Sequence, residues 1–500
     1  MMKRDSKNSS KIKVREIRLD SETQEVSTEP KRNTELVIVT YVFAFMFLLM
    51  AGYLIYFNVV KRDEINANAN NTKQDSQSDK IIRGSIVTDD GTVLASTSVN
   101  SDGTETRTYP YENVFAHVVG YASNGKAGLE AAANYDLMTS HSSLLNQIKN
   151  GENNEKIKGD NVVVTLNPVI QQAAYYALGS YKGAVVVMEP DSGKILAMVS
   201  KPDFNPNTIS EEWETMVSDD TNSSLLNRAA QGLYPPGSTF KILTTLAYLQ
   251  QNNDIYSGFS FDCTGSLTQN DVTITCYNGN VHGAEDLKTA FAHSCNTAFA
   301  NIGLNLDNGA FRKLAEKFLF NNSLPTSLTH SDSVFKLDKD TSYGEVMTTA
   351  IGQGDTLVTP LHMALITSTV ANGGIMMTPY YVERIETYDG DVVSETRPSA
   401  YKELMSTQEA GILTDFMKET VNSGTGTALS YSGYSVAGKT GSAEYETNGV
   451  TGTHSWFVGF SNVDDPDIVV AVIAEDGGTG SQTAVPIAKA IFDAYYNAGY

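Results

Sequence analysis

The longest apolar run of the chain lies near its N-terminus, where residues 36–60 contain no charged side chain. A helix of this length, at about 1.5 Å per residue, crosses the roughly 30 Å hydrocarbon core of a bilayer. The run is longer than the apolar stretch of about 7–15 residues in a cleaved signal peptide, and no small-residue cleavage site follows it. The pattern therefore predicts an uncleaved transmembrane helix over 36–60, preceded by a tail over 1–35.

The hydrophobic pattern changes twice after this run. Residues 61–80 are polar with almost no large apolar side chain, which indicates a linker. From residue 81 β-branched residues alternate around Asp89-Asp90-Gly91, which predicts a β-hairpin. The segment 127–148 looks helical. We predict a small mixed N-terminal domain over 81–159.

The remaining residues, 160–500, show strand patterns at both ends and helical patterns between them. A strand and a helix are predicted over 161–181, and two strands joined by a turn over 183–200. Helical patterns cover 287–304 and 342–370, and three strands followed by a terminal helix close the chain. This order predicts an α+β domain in which distant parts of the chain form one antiparallel sheet flanked by helices.

Charge indicates how the chain lies across a membrane. The tail before Leu36 contains nine basic residues, whereas only Lys61 and Arg62 directly follow the apolar run, so the tail is expected to be cytoplasmic and the rest extracytoplasmic. The formal net charge of −22 argues against nucleic acid as a partner. It is typical of a soluble outer domain.

The chain has three cysteines, and two of them flank a short polar loop. A Cys263–Cys276 disulfide, closing about 15 residues, would stabilise by about 3 kcal/mol, and a free pair is nearly as well supported. Zinc binding by this pair with His282 is the weakest reading, because the paired spacing of a structural zinc site is absent. Cys295 is expected to pack inward as a small hydrophobic residue.

The stretch YPPGSTFKILTTLAYLQ combines a helix start with a possible nucleophile. Two prolines and a glycine prevent a helix before Ser238, and apolar residues at helical spacing follow it. Lys241 lies one turn along on the same face, within reach of the Ser238 oxygen. A serine needs a base beside it, and a desolvated lysine can supply one. Four other Ser-x-x-Lys matches lack this setting.

Two further short motifs follow along the chain. Ser294 and Asn296 offer a hydroxyl and an amide two residues apart, which can relay a proton and hold a peptide carbonyl. In the one Lys-Thr-Gly triplet, Lys439 and Thr440, with Ser442, offer a cation and two hydroxyls to a carboxylate, while Gly441 leaves room for a backbone to approach a strand edge. Each motif alone is weak.

The three motifs in this order, behind a membrane anchor, resemble those of class B penicillin-binding proteins, the peptidoglycan D,D-transpeptidases, and look closest to the short penicillin-binding protein A type. RGSIVTDDGTVLA resembles the family's N-terminal pedestal strand, and GQGDTLVTP resembles the loop beside its active site. The resemblance implies a penicillin-binding, serine β-lactamase-like transpeptidase fold over 160–500. It also implies a dimerisation-like pedestal over 81–159.

The resemblance further implies a mechanism and partners. Ser238 would attack the peptide bond between two terminal D-alanines of a stem peptide with Lys241 as base, and a second stem peptide would resolve the acyl-enzyme. Ser294 and Lys439 would complete the catalytic group, while Asn296, Thr440, Gly441 and Ser442 would bind substrate. No metal or other cofactor is needed. β-Lactams would acylate the serine, and a membrane glycan polymerase of the shape, elongation, division and sporulation family would be the partner, since no glycosyltransferase region is present.

Two alternatives remain open at this stage. A class D-like serine β-lactamase shares similar motifs, but it seldom needs an anchor, a linker and a pedestal. A non-catalytic penicillin sensor would need a signalling domain, and a scaffold need not retain Ser238, Lys241, Lys439 and Thr440 together.

Overall fold

The computed structural model describes residues 34–57, 80–142, 156–219, 221–447 and 449–499. The chain forms two compact units, Met1–Asp63 and Glu64–Tyr500. The predicted tail at 1–35 and linker at 61–80 lie almost wholly outside the described residues.

The first unit contains one long helix, α1, Thr34–Tyr56. From Glu35 to Tyr56 this helix is long and apolar enough to span a membrane, and its large hydrophobic side chains are exposed all around it. A helix that is apolar on every face is stable only when its surroundings are apolar too. The helix therefore suggests a membrane anchor, and it covers most of the span predicted at 36–60.

The second unit contains the other helices and all the strands of the described residues. The helices are α2 Ala116–Val119, α3 Gly128–Ala132, α4 Asn134–Leu137, α5 Pro168–Leu178, α6 Ile209–Ser218, α7 Arg228–Gln231, α8 Lys241–Gln251, α9 Leu287–Ala292, α10 Asn296–Asn305, α11 Asn308–Lys317, α12 Tyr343–Ala350, α13 Pro360–Ala371, α14 Thr407–Asn422 and α15 Ala484–Asn497.

The strands are β1 Ile81–Ile82, β2 Ile86–Thr88, β3 Val93–Val99, β4 Glu105–Thr108, β5 Ile157–Lys158, β6 Asn161–Val164, β7 Gly183–Met188, β8 Ile195–Lys201, β9 Phe261–Cys263, β10 Ser266–Gln269, β11 Val272–Thr275, β12 Gly283–Glu285, β13 Ile375–Met377, β14 Val382–Glu386, β15 Val392–Glu395, β16 Ala400–Glu403, β17 Val436–Thr447, β18 Val450–Ser461 and β19 Val469–Ala474. Short 3₁₀ turns occur at Glu112–Phe115, Gly237–Phe240, Tyr277–Gly279 and Thr427–Leu429.

A five-stranded antiparallel sheet forms the centre of the larger domain, in the order β17-β18-β19-β7-β8. Helices α5 and α15 cover one face and α13 packs on the other, so every residue of β19 is buried. Strands covered on both faces have continuous rather than alternating apolar sequences. The sheet joins segments almost 300 residues apart, as the strand patterns predicted, and β17 is one of its edges.

A second, six-stranded sheet has the order β15-β14-β6-β2-β3-β4. The predicted hairpin at Asp89-Asp90-Gly91 is present as the antiparallel pair β2–β3, and β2 pairs in parallel with β6. Strands β14 and β15 come from residues 382–395. The sheet therefore contains strands from both sides of the predicted domain boundary at 159/160.

Three segments with helical sequence patterns each contain two helices separated by a break. The segment 287–304 forms α9 and α10 with a break at 293–295, where Ser294 has a left-handed backbone with φ of 58°. The segment 342–370 forms α12 and α13 around a loop. The described residues of the segment 127–148 form α3 and α4, and residues 143–148 lie outside the described part. The pattern of apolar residues continued through these breaks, so periodicity alone missed them.

Candidate active site

The serine of the first motif lies on a tightly held turn. Ser238 belongs to the 3₁₀ turn Gly237–Phe240, which continues directly into α8, as the prolines and the apolar run predicted. The Gly237 amide donates to the carbonyl of Gly352 at 2.8 Å, and the indole Nε1 of Trp456 donates to the carbonyl of Pro235 at 3.0 Å. The turn is thus held between the 352–354 loop and strand β18.

Residues from all three motifs line one cleft of about 960 Å³. The predicted residues on its wall are Ser238, Ser294, Asn296, Thr440 and Ser442. Segments more than 200 residues apart in sequence therefore meet in one cleft. No hydrogen bond joins the Ser238 hydroxyl to another residue of the described chain, which leaves its oxygen available to a ligand.

The Lys241 side chain is completely buried beside this cleft. Its Nζ donates to the carbonyl of Ser294 at 2.7 Å and to Oδ1 of Asn296 at 2.8 Å, and it lies 3.3 Å from the Ser294 hydroxyl. Burial lowers the pKa of Lys241 to about 7, because the charged amine loses its hydration. An amine with this pKa is about half unprotonated at pH 7 and can act as a base there.

A second buried lysine approaches Ser294 from strand β17. Lys439 Nζ lies 2.9 Å from the Ser294 hydroxyl, so this one hydroxyl contacts both amines. Burial lowers the pKa of Lys439 well below its usual value, and the nearby charge of Lys241 lowers it further. No carboxylate within the described ranges pairs with either amine. Two close cations without a counterion repel each other, and this repulsion adds to the effect of burial on Lys439.

Strand β17 places the hydroxyls of the third motif in the cleft. Thr440 pairs with Phe457 of β18, and its hydroxyl contacts the hydroxyl of Thr425. The Ser442 hydroxyl accepts a hydrogen bond from the Gly480 amide at 3.3 Å. Three segments of the chain thus position these two hydroxyls.

Gly441 lies where other parts of the chain approach strand β17 closely. The sequence predicts room here for another backbone, such as that of a substrate. A β-carbon at this position would lie 3.0 Å from the Trp456 β-carbon and 3.1 Å from both the Pro236 carbonyl and the Thr239 methyl. The close neighbours are therefore the protein's own nucleophile turn and strand β18, and Gly441 allows the turn to pack against the sheet.

Sequence reasoning missed two residues that complete the site. Thr425 lines the cleft and contacts Thr440, but a threonine between two glycines is too common a pattern to identify. Trp456 holds Pro235 through its indole, and only the pairing of β17 with β18 makes that contact visible. The sequence contains no signal for either partner.

The two loop cysteines are not bonded to each other. Cys263 and Cys276 are free and buried, with 3.7 Å between their Sγ atoms, so the structure contains a free pair rather than the disulfide. Cys295 is also free and completely buried, as expected.

Comparison with known proteins places the chain in a family. Residues 183–493 match the penicillin binding protein transpeptidase domain, and residues 83–162 match the penicillin binding protein A dimerisation domain. The chain is 33% identical over 499 residues to the peptidoglycan D,D-transpeptidase PbpA of Mycolicibacterium smegmatis, which covers 93% of this chain and 100% of that protein. PbpA of Mycobacterium tuberculosis is 35% identical over 446 residues, covering 82% of this chain and 88% of that protein.

A solved structure shows the same fold. Penicillin-binding protein A from M. tuberculosis, determined as a ceftriaxone acyl-enzyme complex, matches with a TM-score of 0.77 at 32% identity, covering 84% of this chain and 99% of that one. The chain therefore belongs to the penicillin-binding protein transpeptidase family, the class of serine enzyme that the three motifs predicted. Its two domain matches and its PbpA relatives place it with the class B peptidoglycan D,D-transpeptidases of the penicillin-binding protein A type. The predicted family, enzyme class and α+β fold are confirmed.

Proposed function

We propose that this protein cross-links peptidoglycan stem peptides through an acyl-enzyme on Ser238. The observation that carries the proposal is the pair of buried amines, Lys241 and Lys439, that contact the Ser294 hydroxyl beside the nucleophile turn. This arrangement provides a neutral base next to a serine and a hydroxyl that can pass a proton onward.

In the first half of the reaction, the Ser238 oxygen attacks the carbonyl carbon between the last two D-alanines of a stem peptide. The neutral amine of Lys241 takes the serine proton. The peptide C–N bond then breaks, and the leaving amine of the terminal D-alanine receives a proton through the Ser294 hydroxyl. The product is an ester between Ser238 and the shortened stem peptide.

In the second half, the amine of a neighbouring stem peptide attacks the ester carbonyl. The attacking nitrogen loses one proton to Lys241, the ester C–O bond breaks as the new peptide bond forms, and Lys241 passes that proton to the Ser238 oxygen. All protons and both leaving groups are accounted for by the side chains at the site, and no redox partner is involved.

The remaining motif residues would bind the donor peptide. Asn296 would hold a peptide carbonyl or amide, and Lys439 with the hydroxyls of Thr440 and Ser442 would bind the terminal carboxylate. The backbone N–H groups of Ser238 and Ser442 would stabilise the oxyanion, a contribution typically of about 3–4 kcal/mol for one donor. Gly441 would contribute by letting the nucleophile turn lie against β17.

The test is mass spectrometry of the purified full-length protein after reaction with benzylpenicillin. We expect one covalent adduct per chain, on the peptide that contains Ser238, and none in the S238A variant. Ser481 lines the same cleft but is exposed, so S481A is the matched control and should retain the adduct. An adduct on another residue, or an adduct in S238A, would refute the assignment.

The lifetime of the adduct separates the proposed activity from that of a β-lactamase. A transpeptidase should hold the opened β-lactam far longer than the seconds expected of an efficient hydrolase. In a stem-peptide assay with an added acceptor amine, release of D-alanine and formation of a cross-linked dimer would distinguish the transpeptidase from a non-catalytic sensor or scaffold.

We also propose the organisation of the chain: a cytoplasmic tail at 1–35, the transmembrane helix at 36–60, a linker at 61–80, a pedestal at 81–159 and the transpeptidase domain at 160–500. The basic tail supports a cytoplasmic N-terminus, with the cleft outside. The proposed partner is a membrane glycan polymerase of the shape, elongation, division and sporulation family. Alkaline phosphatase fused after residue 500 should be active, whereas a fusion at residue 35 should not.

A further inference from the structure

The three cysteines of this 500-residue chain converge on one buried point. Cys263 ends strand β9, Cys276 directly follows β11, and Cys295 directly precedes α10. The Sγ of Cys276 lies 3.7 Å from that of Cys263 and 3.8 Å from that of Cys295. These residues are 13 to 32 positions apart in sequence, so only the fold brings them together.

A histidine completes the cluster. His282 lies beside strand β12, which pairs with β9, and its Nδ1 is 3.3 Å from the Cys263 sulfur. The three sulfurs and this nitrogen all lie within 4.8 Å of one another. In tetrahedral zinc sites with Zn–S bonds of about 2.3 Å, sulfur atoms lie about 3.8 Å apart. The two sulfur–sulfur distances match the edges of such a tetrahedron.

Simpler explanations account for less of this arrangement. A disulfide needs sulfur atoms about 2.05 Å apart, and it would involve two of the three cysteines without the histidine. Packing of three neutral thiols explains their burial, but it does not explain a ring nitrogen directed at the same point. The Thr297 hydroxyl lies 3.2–3.5 Å from all three sulfurs and can donate only one hydrogen bond. Three metal-bound thiolates would be stable with so few donors.

We propose that Cys263, Cys276, Cys295 and His282 bind one structural Zn²⁺ ion in tetrahedral coordination. Three thiolates and one imidazole fill the four positions, so no position remains for water or substrate, and the metal takes no part in the acyl transfer. The proposal is independent of the transpeptidase reaction. Along the sequence, the spacing of Cys263, Cys276 and His282 favours zinc only weakly, and Cys295 is expected to pack inward as a small hydrophobic residue. The fold brings all four side chains to one point.

The ion would secure one wall of the cleft. Strands β9 to β12 have only three or four residues each and form two-stranded pairs, which are marginal on their own. Residues around Cys276 and His282 line the cleft. A metal site joining both strand pairs to α10 would supply the stability that such short strands lack.

The same ion would hold the second motif in position. Cys295 lies between Ser294 and Asn296, which are both bonded to Lys241, and Ser294 has a left-handed backbone. The Ala298 amide donates to the Cys295 sulfur at 3.4 Å, as expected of a metal-bound thiolate at a helix start. Metal coordination would therefore fix the backbone conformation on which the Ser294 and Lys241 contacts depend.

The test begins with the metal content of the full-length protein, purified in detergent without a polyhistidine tag. Elemental mass spectrometry should find about one zinc per chain, and H282A should lose most of it. The matched control is H141A, because His141 bonds to Asp160 away from the cysteines, and this variant should retain the zinc.

Cobalt provides a readout that does not depend on a folded variant. Wild-type protein stripped with a chelator and supplied with Co²⁺ should show the visible bands of tetrahedral cobalt and thiolate-to-cobalt charge transfer. Zinc removal should also slow benzylpenicillin acylation on the order of tenfold, and added zinc should restore it. Zinc far below one equivalent with three thiols titratable after denaturation, a disulfide found by peptide mapping, or cobalt bands of an octahedral site would each overturn the proposal.

Discussion

At the scale of single residues, the Lys241 amine is arranged to act as a base. A neutral amine has two N–H groups and one lone pair. The carbonyl of Ser294 and Oδ1 of Asn296, at 2.7 and 2.8 Å, accept two N–H bonds. The neutral amine keeps one lone pair, and the Ser294 hydroxyl lies 3.3 Å from the same nitrogen, so the second motif positions the base of the first.

Removing this amine should abolish most acylation while leaving the fold intact. K241M keeps the length and the apolar stem of the side chain, and loss of a general base typically costs about 10²–10⁴-fold in rate. The second-order rate of acylation by a fluorescent penicillin measures the effect. K402M, at an exposed position of β16, should react at the wild-type rate. Acylation of K241M within threefold of the wild type would contradict the role of the amine.

The acylation rate should depend on pH through the pKa of Lys241. Burial lowers that pKa to about 7, and only the unprotonated amine can accept the serine proton. The rate should therefore fall about tenfold per pH unit below 7 and level off above it. Stopped-flow acylation between pH 5 and 9 tests this expectation. A midpoint near 10, the ordinary lysine value, would show that the amine is charged at neutral pH.

At the scale of the elements, short breaks in regular structure create the site. The 3₁₀ turn before α8 presents Ser238, and the interruption between α9 and α10 presents Ser294 and Asn296. At this break the backbone of Ser294 is left-handed, and the Ser294 hydroxyl contacts both lysines. Strand β17 then lies against the nucleophile turn at Gly441, where the structure leaves no room for a β-carbon without a shift of a few tenths of an ångström.

A methyl group at this contact should disturb the nucleophile turn. In G441A the new carbon would press on Trp456, Pro236 and Thr239, and overpacking of this kind costs about 1–3 kcal/mol of unfolding free energy. We also expect about tenfold slower acylation because the Ser238 turn must move. Chemical denaturation and penicillin kinetics measure the two effects.

The control is a glycine with open space around it. Gly411 is an exposed residue of α14 with nothing near its missing β-carbon, so G411A should raise stability by about 0.5–1 kcal/mol without changing acylation. If G441A behaved like G411A, the contact between the turn and the strand would have no role.

At the scale of the whole molecule, the N-terminal region depends on one buried charged cluster. Glu130 is completely buried, and its carboxylate accepts hydrogen bonds from Arg83, Arg107 and Tyr109. Burial opposes ionisation of Glu130, but the guanidinium groups of Arg107 and Arg83 outweigh it and hold the pKa below its usual value. Arg107 also donates to the carbonyl of Gly84, which ties the cluster to the segment before β2.

Neutralising this carboxylate should destabilise the N-terminal region. E130Q keeps the volume but leaves two buried guanidinium groups without a counterion, at a cost of about 3–5 kcal/mol. The partly exposed Glu105, paired with Lys156, is the control, and E105Q should cost less than about 1 kcal/mol. The folded E130Q protein should still be acylated at the wild-type rate, because Glu130 is not among the residues that line the cleft.

The direction of the pKa shift adds a pH dependence to this prediction. Because Glu130 has a lowered pKa when folded, its contribution is fully present above the unfolded value near 4.5 and is lost as the pH falls through the folded value. The stability difference between wild type and E130Q should therefore shrink below about pH 4. A difference that stays constant from pH 7 to pH 3 would contradict the ionic origin of the effect.

The sequence by itself determined the parts that depend on local chemistry. The apolar run from Leu36 predicted the long helix, the prolines before Ser238 predicted the helix start, and the strand patterns at both ends of 160–500 predicted the central sheet. Each depends on the conformational limits of proline or on burial patterns, which can be read from neighbouring residues. The order of the motifs was enough to predict the family.

Only the tertiary structure decided which distant groups meet. The left-handed break at Ser294, the contact of its hydroxyl with both lysines, and the contact of Gly441 with Thr239 depend on elements that pack together across 50 to 200 residues of sequence. The convergence of three cysteines with His282 is of the same kind. Spacing along the chain carries no information about distances that packing sets, and burial, which lowers the pKa of Lys241, exists only once the chain is folded.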